Sequence, residues 1–176
     1  MANQKLTDKT ELAEQAGSGD LLMVVDVSDT SSSTAGSSKK MDFKYVIQTD
    51  KISLSNAEAQ ALNSSPKTLV GALSGYMITV FNVTIITTYA SSTESSNSNL
   101  FLGYDTSQTT RYFDVSSRFM GAQTTSNCYM YGGNQATHGV KSSSIINSAF
   151  SLWSSGAFNG GWSAEVYVTY AYTKVL

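Results

Sequence analysis

Residues 52–89 read ISLSNAEAQALNSSPKTLVGALSGYMITVFNVTIITTY, and this stretch has the clearest helix and strand signals of the chain. Ser55 and Glu58 have the spacing of a capping box, in which each side chain accepts a hydrogen bond from a backbone N–H at the start of a helix. We therefore predict a short helix over Asn56–Leu62. It should end before Pro66, because proline lacks the N–H that a helix needs and disfavours helix in the residue before it.

The sequence after Pro66 has the composition of β-structure. Tyr76–Tyr89 is rich in Ile, Val, Thr and Tyr, which are enriched in strands. The pattern predicts a short strand over Lys67–Ala72, a turn at Gly75 and a long strand over Tyr76–Tyr89. Further strands are predicted over Asn99–Tyr104, Arg111–Val115, Asn127–Tyr131, part of Ser144–Trp153, and Trp162–Tyr172. Seven or eight strands are enough for an antiparallel two-sheet β-sandwich.

The last predicted strand, Trp162–Tyr172, alternates apolar and polar residues, which is typical of a strand with one buried face. Its expected buried set is Ala164, Val166, Val168, Tyr170 and Tyr172. The Gly160–Gly161 pair before it suits a tight turn that requires positive φ.

The first 50 residues have a different character. Leu21–Val27 (LLMVVDV) is a short apolar strand, Asp29–Ser38 is a Ser/Thr-rich connector, and Lys39–Val46 alternates like a half-buried strand. We interpret residues 1–50 as a small β-module with too little core to fold alone, and residues 51–176 as the β-domain. A disordered N-terminal tail is the alternative. The candidate partner surface consists of apolar residues of the first strand: Leu21, Leu22, Val24, Val25 and Val27.

Composition limits the function classes. The 176 residues carry a net charge of −2 and only 14% charged residues, so the chain has no electrostatic footprint for nucleic acid. It has no apolar run long enough to span a membrane and no signal-peptide pattern. We expect a soluble protein made in a cytoplasm, which leaves the cell by lysis or within a larger particle. The single cysteine, Cys128, excludes an intrachain disulfide.

The sequence offers no catalytic or metal-binding constellation. His138 is the only histidine, so one chain cannot form a His-based metal cluster, although three copies in a trimer could meet on an axis. A Cys128–His138 dyad would lack an orienting third group. Asp26 and Asp29 provide too few ligands for Ca²⁺ and suit turns better. We predict no enzyme activity and no cofactor.

Aromatic residues suggest one binding function. Trp153 and Trp162 could stack on a sugar ring, and the alternative is that both pack in the sandwich core or at a subunit interface.

Three segments resemble a known group of proteins. SGDLLMVVDVSDTSSSTAGSSKKMDFKYV (Ser18–Val46) resembles the N-terminal module of many bacteriophage tail-fibre and head-fibre proteins. LSNAEAQALNSSPKTLVGALSGYMITV (Leu54–Val80) and GGWSAEVYVTYAY (Gly160–Tyr172) resemble the opening and closing parts of a β-domain displayed on phage particles. Gly71–Gly75 departs from the Pro/Gly-rich bend of that group.

The resemblance implies a virion structural protein that is a homotrimer, attaches through residues 1–50 and displays a jelly-roll-like domain. It fits a capsid decoration or head-fibre protein that docks on a capsid or another virion protein. The alternative is a tail-fibre or receptor-binding protein that recognises a host surface glycan.

Overall fold

The chain folds into two units, residues 1–46 and residues 47–176. In the computed structural model, the residues described are 21–31, 34–42, 46–104, 111–114, 119–121, 123–132 and 142–175. Gln48–Asp50, assigned to the module on sequence, pair with the last strand of the larger unit and belong to that unit.

The smaller unit contains an antiparallel pair of strands, β1 (Leu21–Asp26) and β2 (Ser37–Asp42). β1 agrees with its predicted strand to within one residue. β2 begins two residues before the predicted Lys39, and the predicted residues 43–45 lie outside the described part.

Side-chain hydrogen bonds shape the connection between these strands. The Asp26 carboxylate accepts a hydrogen bond from the Ser28 N–H at 3.0 Å, and Asp29 accepts one from the Ser31 N–H at 3.0 Å. Asp29 also pairs with Lys39 at 2.5 Å. Hydrogen bonds from Lys39 and Ser31 hold the pKa of Asp29 at about 2. The expectation that these two aspartates act as turn residues is therefore confirmed.

The described residues of the larger unit form an antiparallel sandwich of eight strands in two four-stranded sheets. The elements in order are β3 (Gln48–Leu54), α1 (Asn56–Ala61), β4 (Lys67–Val70), β5 (Tyr76–Tyr89), β6 (Leu100–Tyr104), β7 (Arg111–Asp114), β8 (Cys128–Gly132), a 3-10 helix (Ser142–Ser144), β9 (Phe150–Ser154) and β10 (Trp162–Lys174). One sheet has the order β3-β10-β5-β8 and the other β4-β9-β6-β7. This alternation between sheets is the jelly-roll topology, so the predicted fold class is confirmed.

The capping box forms as predicted. The Ser55 N–H donates to the Glu58 carboxylate at 2.8 Å, and the Glu58 N–H donates to Ser55 Oγ at 3.3 Å. The helix ends at Ala61, one residue before the predicted end, and Leu62 is its C-cap. The Glu58 carboxylate also contacts Lys67 at 2.5 Å, which joins the helix to the start of β4.

The long strands β5 and β10 form the centre of the first sheet. β5 has the predicted bounds, and the predicted inward face of β10 is buried from Ala164 to Tyr170, with Tyr172 half-buried. A register shift opposite Thr169–Tyr170 leaves Phe81 as the extra residue of β5. The alternation of side chains between the two sheet faces is interrupted there, so Phe81 and Asn82 both lie on the outer face of the sheet.

The core lies between the sheets. Val83, Ile85, Val166 and Val168 face it from the first sheet, and Leu69, Leu100, Leu102, Phe150 and Leu152 belong to it from the second. At one end, Phe119 packs edge-on against Trp162 with ring centroids 5.4 Å apart. No helix in the described residues is long and apolar enough to cross a membrane.

One strand was not predicted, and the expectation for one turn was wrong. Strand β3 was not predicted, because its sequence QTDKISL has Asp50 and Lys51, which are depleted in strands. Gly160 and Gly161 do not have positive φ. Glycine is needed there for close approach instead, because a Cβ on Gly161 would lie 2.9 Å from the Ser92 backbone nitrogen.

Candidate interaction surfaces

The first candidate surface is one face of β1 and the residue after it. Met23, Val25 and Val27 alternate along the strand and are 68%, 58% and 75% exposed. In a two-stranded sheet, such a row of apolar side chains has no second layer to pack against within its own strands. We call Met23, Val25 and Val27 the β1 apolar face.

The structure divides the predicted docking residues between two faces. Val25 and Val27 lie on the β1 apolar face, whereas Leu22 and Val24 point the other way and are half-buried. The side chain of Leu21 lies outside the described part. Met23 was missed because the prediction selected branched and leucine side chains, although the two-residue period marks it as a member of the set.

The edge of β1 adds a backbone component to this surface. β1 pairs with β2 on one side, with Val25 opposite Ser38 and Met23 opposite Lys40. No strand is paired to its other edge among the described residues. Leu22, Met23, Ser38, Lys39 and Lys40 line an open depression of about 360 Å³ beside the strands. An edge strand with exposed apolar side chains is a site where a partner strand can add.

The second candidate surface is the outer face of the β3-β10-β5-β8 sheet. Phe81, Ile86 and Met130 are 44%, 40% and 75% exposed, and they are the large exposed apolar side chains of the described strands of the larger unit. Ile86 lies opposite the exposed Cys128, and Thr84 lies opposite Met130. We call Phe81, Ile86 and Met130 the sheet apolar patch.

The other half of the same sheet face is polar. Lys51 of β3 pairs with Glu165 of β10 at 2.6 Å, and Tyr167 donates a hydrogen bond to Glu165 at 2.9 Å. Hydrogen bonds from Lys51 and Tyr167 lower the pKa of Glu165, and its carboxylate raises the pKa of Lys51. The charges on this half are thus paired within the sheet, and the apolar half carries none.

The predicted sugar-stacking residues are not available for stacking. Trp162 is 1% exposed and packs against Phe119 and Phe158, while Trp153 is 5% exposed and packs against Phe101 with centroids 5.7 Å apart. Stacking on a sugar requires an open ring face. The prediction of a sugar site on these residues was therefore wrong, and their role is packing.

A buried carboxylate joins two loops beside Trp162. Glu94 is 3% exposed and accepts hydrogen bonds from the N–H groups of Ser96 at 2.8 Å, Asn159 at 3.0 Å and Gly160 at 2.8 Å. The Trp162 indole N–H donates to it at 3.3 Å. Burial raises its pKa, but the hydrogen bonds from Ser96, Gly160 and Trp162 lower it more, so the net shift is downward. We call this cluster the Glu94 clasp.

The clasp was not anticipated, because Glu94 lies in the polar run SSTESSNS, which predicts a solvated loop. The only available signal was a carboxylate in a segment with few other charges. Three backbone N–H groups and the Trp162 indole N–H point at the carboxylate, and such donors favour its ionised form and tie the two loops together.

The described residues contain no group of three or more His, Cys, Asp and Glu side chains that could hold a metal ion. Cys128 is exposed on the edge strand β8. His138 lies outside the described residues, so neither the Cys128–His138 dyad, which the sequence argues against, nor the axial histidine site of a trimer is tested.

Comparison with known proteins gave limited similarity. No protein-family model matches the chain, and no curated protein matches it. Among solved structures, a chain of the cyanophage Pam1 capsid asymmetric unit aligns over 97% of this chain and 98% of its own length, with 15% identity and a TM-score of 0.42.

Proposed function

We propose that the protein is a non-enzymatic structural component of a bacteriophage particle, of the capsid-decoration or head-fibre kind. It is made in the cytoplasm of the host bacterium and docks on the particle through the smaller unit. The larger unit is the displayed jelly roll. The sequence resemblance over Ser18–Val46, Leu54–Val80 and Gly160–Tyr172 supports the class of protein.

The observation that carries the docking proposal is the β1 apolar face. Three apolar side chains on one side of one strand, each more than half exposed, are unfavourable in water and become favourable when a partner covers them. The edge of β1 that pairs with no strand among the described residues allows the partner to contribute a strand. Backbone hydrogen bonds then give affinity, and the Met23, Val25 and Val27 side chains give specificity.

We also propose that the chain is a homo-oligomer, with three copies as the resemblance implies, and that the sheet apolar patch lies at the contact between copies. The three small docking units of one oligomer would bind to the same particle at the same time. The second and third contacts are then intramolecular and benefit from a high effective concentration.

Val25→Asp tests the docking proposal. The full-length chain and the variant are produced in cells in which phage particles assemble, and the amount that co-purifies with the particles is measured. We expect Val25→Asp to abolish co-purification, because a charge in a buried contact loses its hydration. Val25→Ile keeps an apolar strand former and should co-purify like the wild type. Equal binding of Val25→Asp and the wild type would contradict docking through this face.

The folded state of the variant is checked independently. Val25 is more than half exposed, so Val25→Asp should leave the circular dichroism spectrum and native mass of the chain unchanged. A variant that is unattached and also unfolded or dissociated would contradict the assignment of Val25 to docking alone.

A further inference from the structure

One dipeptide in the Glu94 clasp has chemistry of its own. Asn159–Gly160 is the only Asn–Gly pair in the sequence. Asparagine is a thermolabile residue, because the backbone nitrogen that follows it can attack its side-chain amide. Glycine in the following position has no side chain to hinder that approach. Asn159 is exposed to solvent, which gives water access to any imide that forms.

The structure engages the attacking atom. The Gly160 N–H donates to Glu94 Oε2 at 2.8 Å in a buried hydrogen bond. Attack requires that nitrogen to lose its proton and turn toward the Asn159 side chain. The clasp opposes both changes. A deprotonated, negative nitrogen would face the buried carboxylate, and turning the nitrogen away would break the charge-assisted hydrogen bond.

The structure also holds the side-chain amide group whose Cγ is attacked. Asn159 Oδ1 accepts hydrogen bonds from the Ser95 N–H at 3.0 Å and the Ser96 N–H at 3.3 Å, and Asn159 Nδ2 donates to Ser95 Oγ at 3.0 Å. The side chain is thus fixed on the 91–98 loop and is not free to turn back onto its own backbone.

The next peptide unit, Gly160–Gly161, is held by side chains of the helix α1. The Gly160 carbonyl accepts hydrogen bonds from Asn56 Nδ2 at 2.8 Å and Gln60 Nε2 at 3.2 Å. This carbonyl belongs to the Gly160–Gly161 peptide, so α1 fixes the backbone on the C-terminal side of the attacking nitrogen, while Glu94 holds the nitrogen itself.

We propose that Asn159–Gly160 is a deamidation site that the Glu94 clasp holds closed. When the clasp opens, the Gly160 nitrogen loses its proton and bonds to Cγ of Asn159. The Cγ–Nδ2 bond breaks, and ammonia leaves with the proton as a succinimide forms. Water then opens either carbonyl of the imide and leaves an aspartate or an isoaspartate.

The product also keeps the clasp open. The new carboxylate lacks the Nδ2 donor that binds Ser95. It also places a second negative charge beside Glu94, whose hydrogen-bonding partners among the described residues include no cation. Deamidation therefore converts a transient opening of the 91–98 and 156–161 loops into a permanent one.

Peptide mapping by mass spectrometry tests this proposal on the full chain, aged at mildly alkaline pH in buffer and in denaturing urea. Hydrogen bonds to charged groups contribute enough free energy to predict deamidation of Asn159 about tenfold to a hundredfold slower in the folded chain than in urea. Equal rates in buffer and urea would overturn the proposal, and this comparison needs no variant.

Glu94→Gln tests the role of the carboxylate. We expect it to raise the folded-state rate at Asn159 by about tenfold, measured well below the melting transition of the variant. Glu165→Gln, which removes a carboxylate from the outer sheet face, is the matched control and should leave the rate unchanged. Glu94→Asp, which withdraws the carboxylate but keeps its charge, is the second variant and should also accelerate the reaction. If both folded Glu94 variants deamidate at Asn159 at the wild-type rate, the carboxylate does not protect this site and the proposal is overturned.

Discussion

At the scale of single residues, the most informative position is Glu94. Its carboxylate replaces the water that four backbone and side-chain donors would otherwise require, and it is the reason that Gly160 and Gly161 lie against the 91–94 segment. The sequence predicted a solvated loop here, because hydrogen bonds between residues more than 60 positions apart leave no periodic pattern.

Glu94→Gln should lower the free energy of unfolding at neutral pH by about 1–3 kcal/mol, because charged acceptors give the stronger hydrogen bonds. The folded-state pKa of Glu94 lies below the usual 4.5, so its contribution is complete above that pH and is lost as pH falls through the lowered value. The difference between wild type and variant, measured by urea unfolding from pH 7 to pH 3, should therefore shrink below pH 4.5. A difference that is constant with pH would contradict an ionised Glu94.

Gly161→Ala and Gly71→Ala form a matched pair of glycine substitutions. A Cβ on Gly161 would collide with the Ser91 side chain and the Ser92 backbone nitrogen, whereas a Cβ on Gly71 meets nothing within 4 Å. We expect Gly161→Ala to lower the unfolding free energy by about 1–3 kcal/mol and Gly71→Ala to leave it equal or slightly higher. Thermal unfolding of both variants checks this, and equal melting temperatures would count against close packing at Gly161.

Among the helices and strands, the local sequence pattern was enough to predict an element where one of its faces is buried or where a local motif begins it. β5 and β10 were predicted because strand-forming residues and a two-residue period coincide, and α1 because its capping box is a local motif. β3 was missed because its stabilisation is not local: Tyr170 of β10 donates a hydrogen bond to Asp50 at 2.8 Å, and Thr49 and Thr169 are hydrogen-bonded at 2.9 Å.

Ser55→Ala tests the capping box. Loss of the side-chain acceptor for the Glu58 N–H should lower the unfolding free energy by about 1 kcal/mol. Ser65→Ala, at an exposed serine beyond the end of the helix, is the control and should change it by less than about 0.5 kcal/mol. Urea unfolding measures both, and equal effects would mean that the cap contributes nothing particular to stability.

At the scale of the whole molecule, the sheet order decides which residues form a surface. The number of strands predicted a sandwich. Sequence alone does not reveal that β8 lies beside β5, because β5 ends at Tyr89 and β8 begins only at Cys128. Phe81, Ile86 and Met130 come to the same outer sheet face only through this pairing and the bulge at Phe81. The patch therefore could not be predicted from composition.

Met130→Lys tests the role of the sheet apolar patch. Met130 is 75% exposed in the single chain, so a lysine should be tolerated by the fold and should hinder a contact between copies. We expect the native mass from light scattering to fall from that of a trimer to that of a monomer. Thr88→Lys, at an exposed position of the neighbouring strand β5 that is not part of the sheet apolar patch, is the control and should keep the wild-type mass. A wild-type chain that is itself a monomer would contradict the proposed oligomer.

The central claim is that the protein docks on a phage particle through the β1 apolar face, and electron cryo-microscopy of particles that carry the chain tests it most directly. We expect density in which Met23, Val25 and Val27 are covered by a particle protein, with a strand added at the edge of β1 that faces away from β2. A particle-bound chain whose β1 apolar face is open to solvent, held instead through the jelly roll, would contradict it.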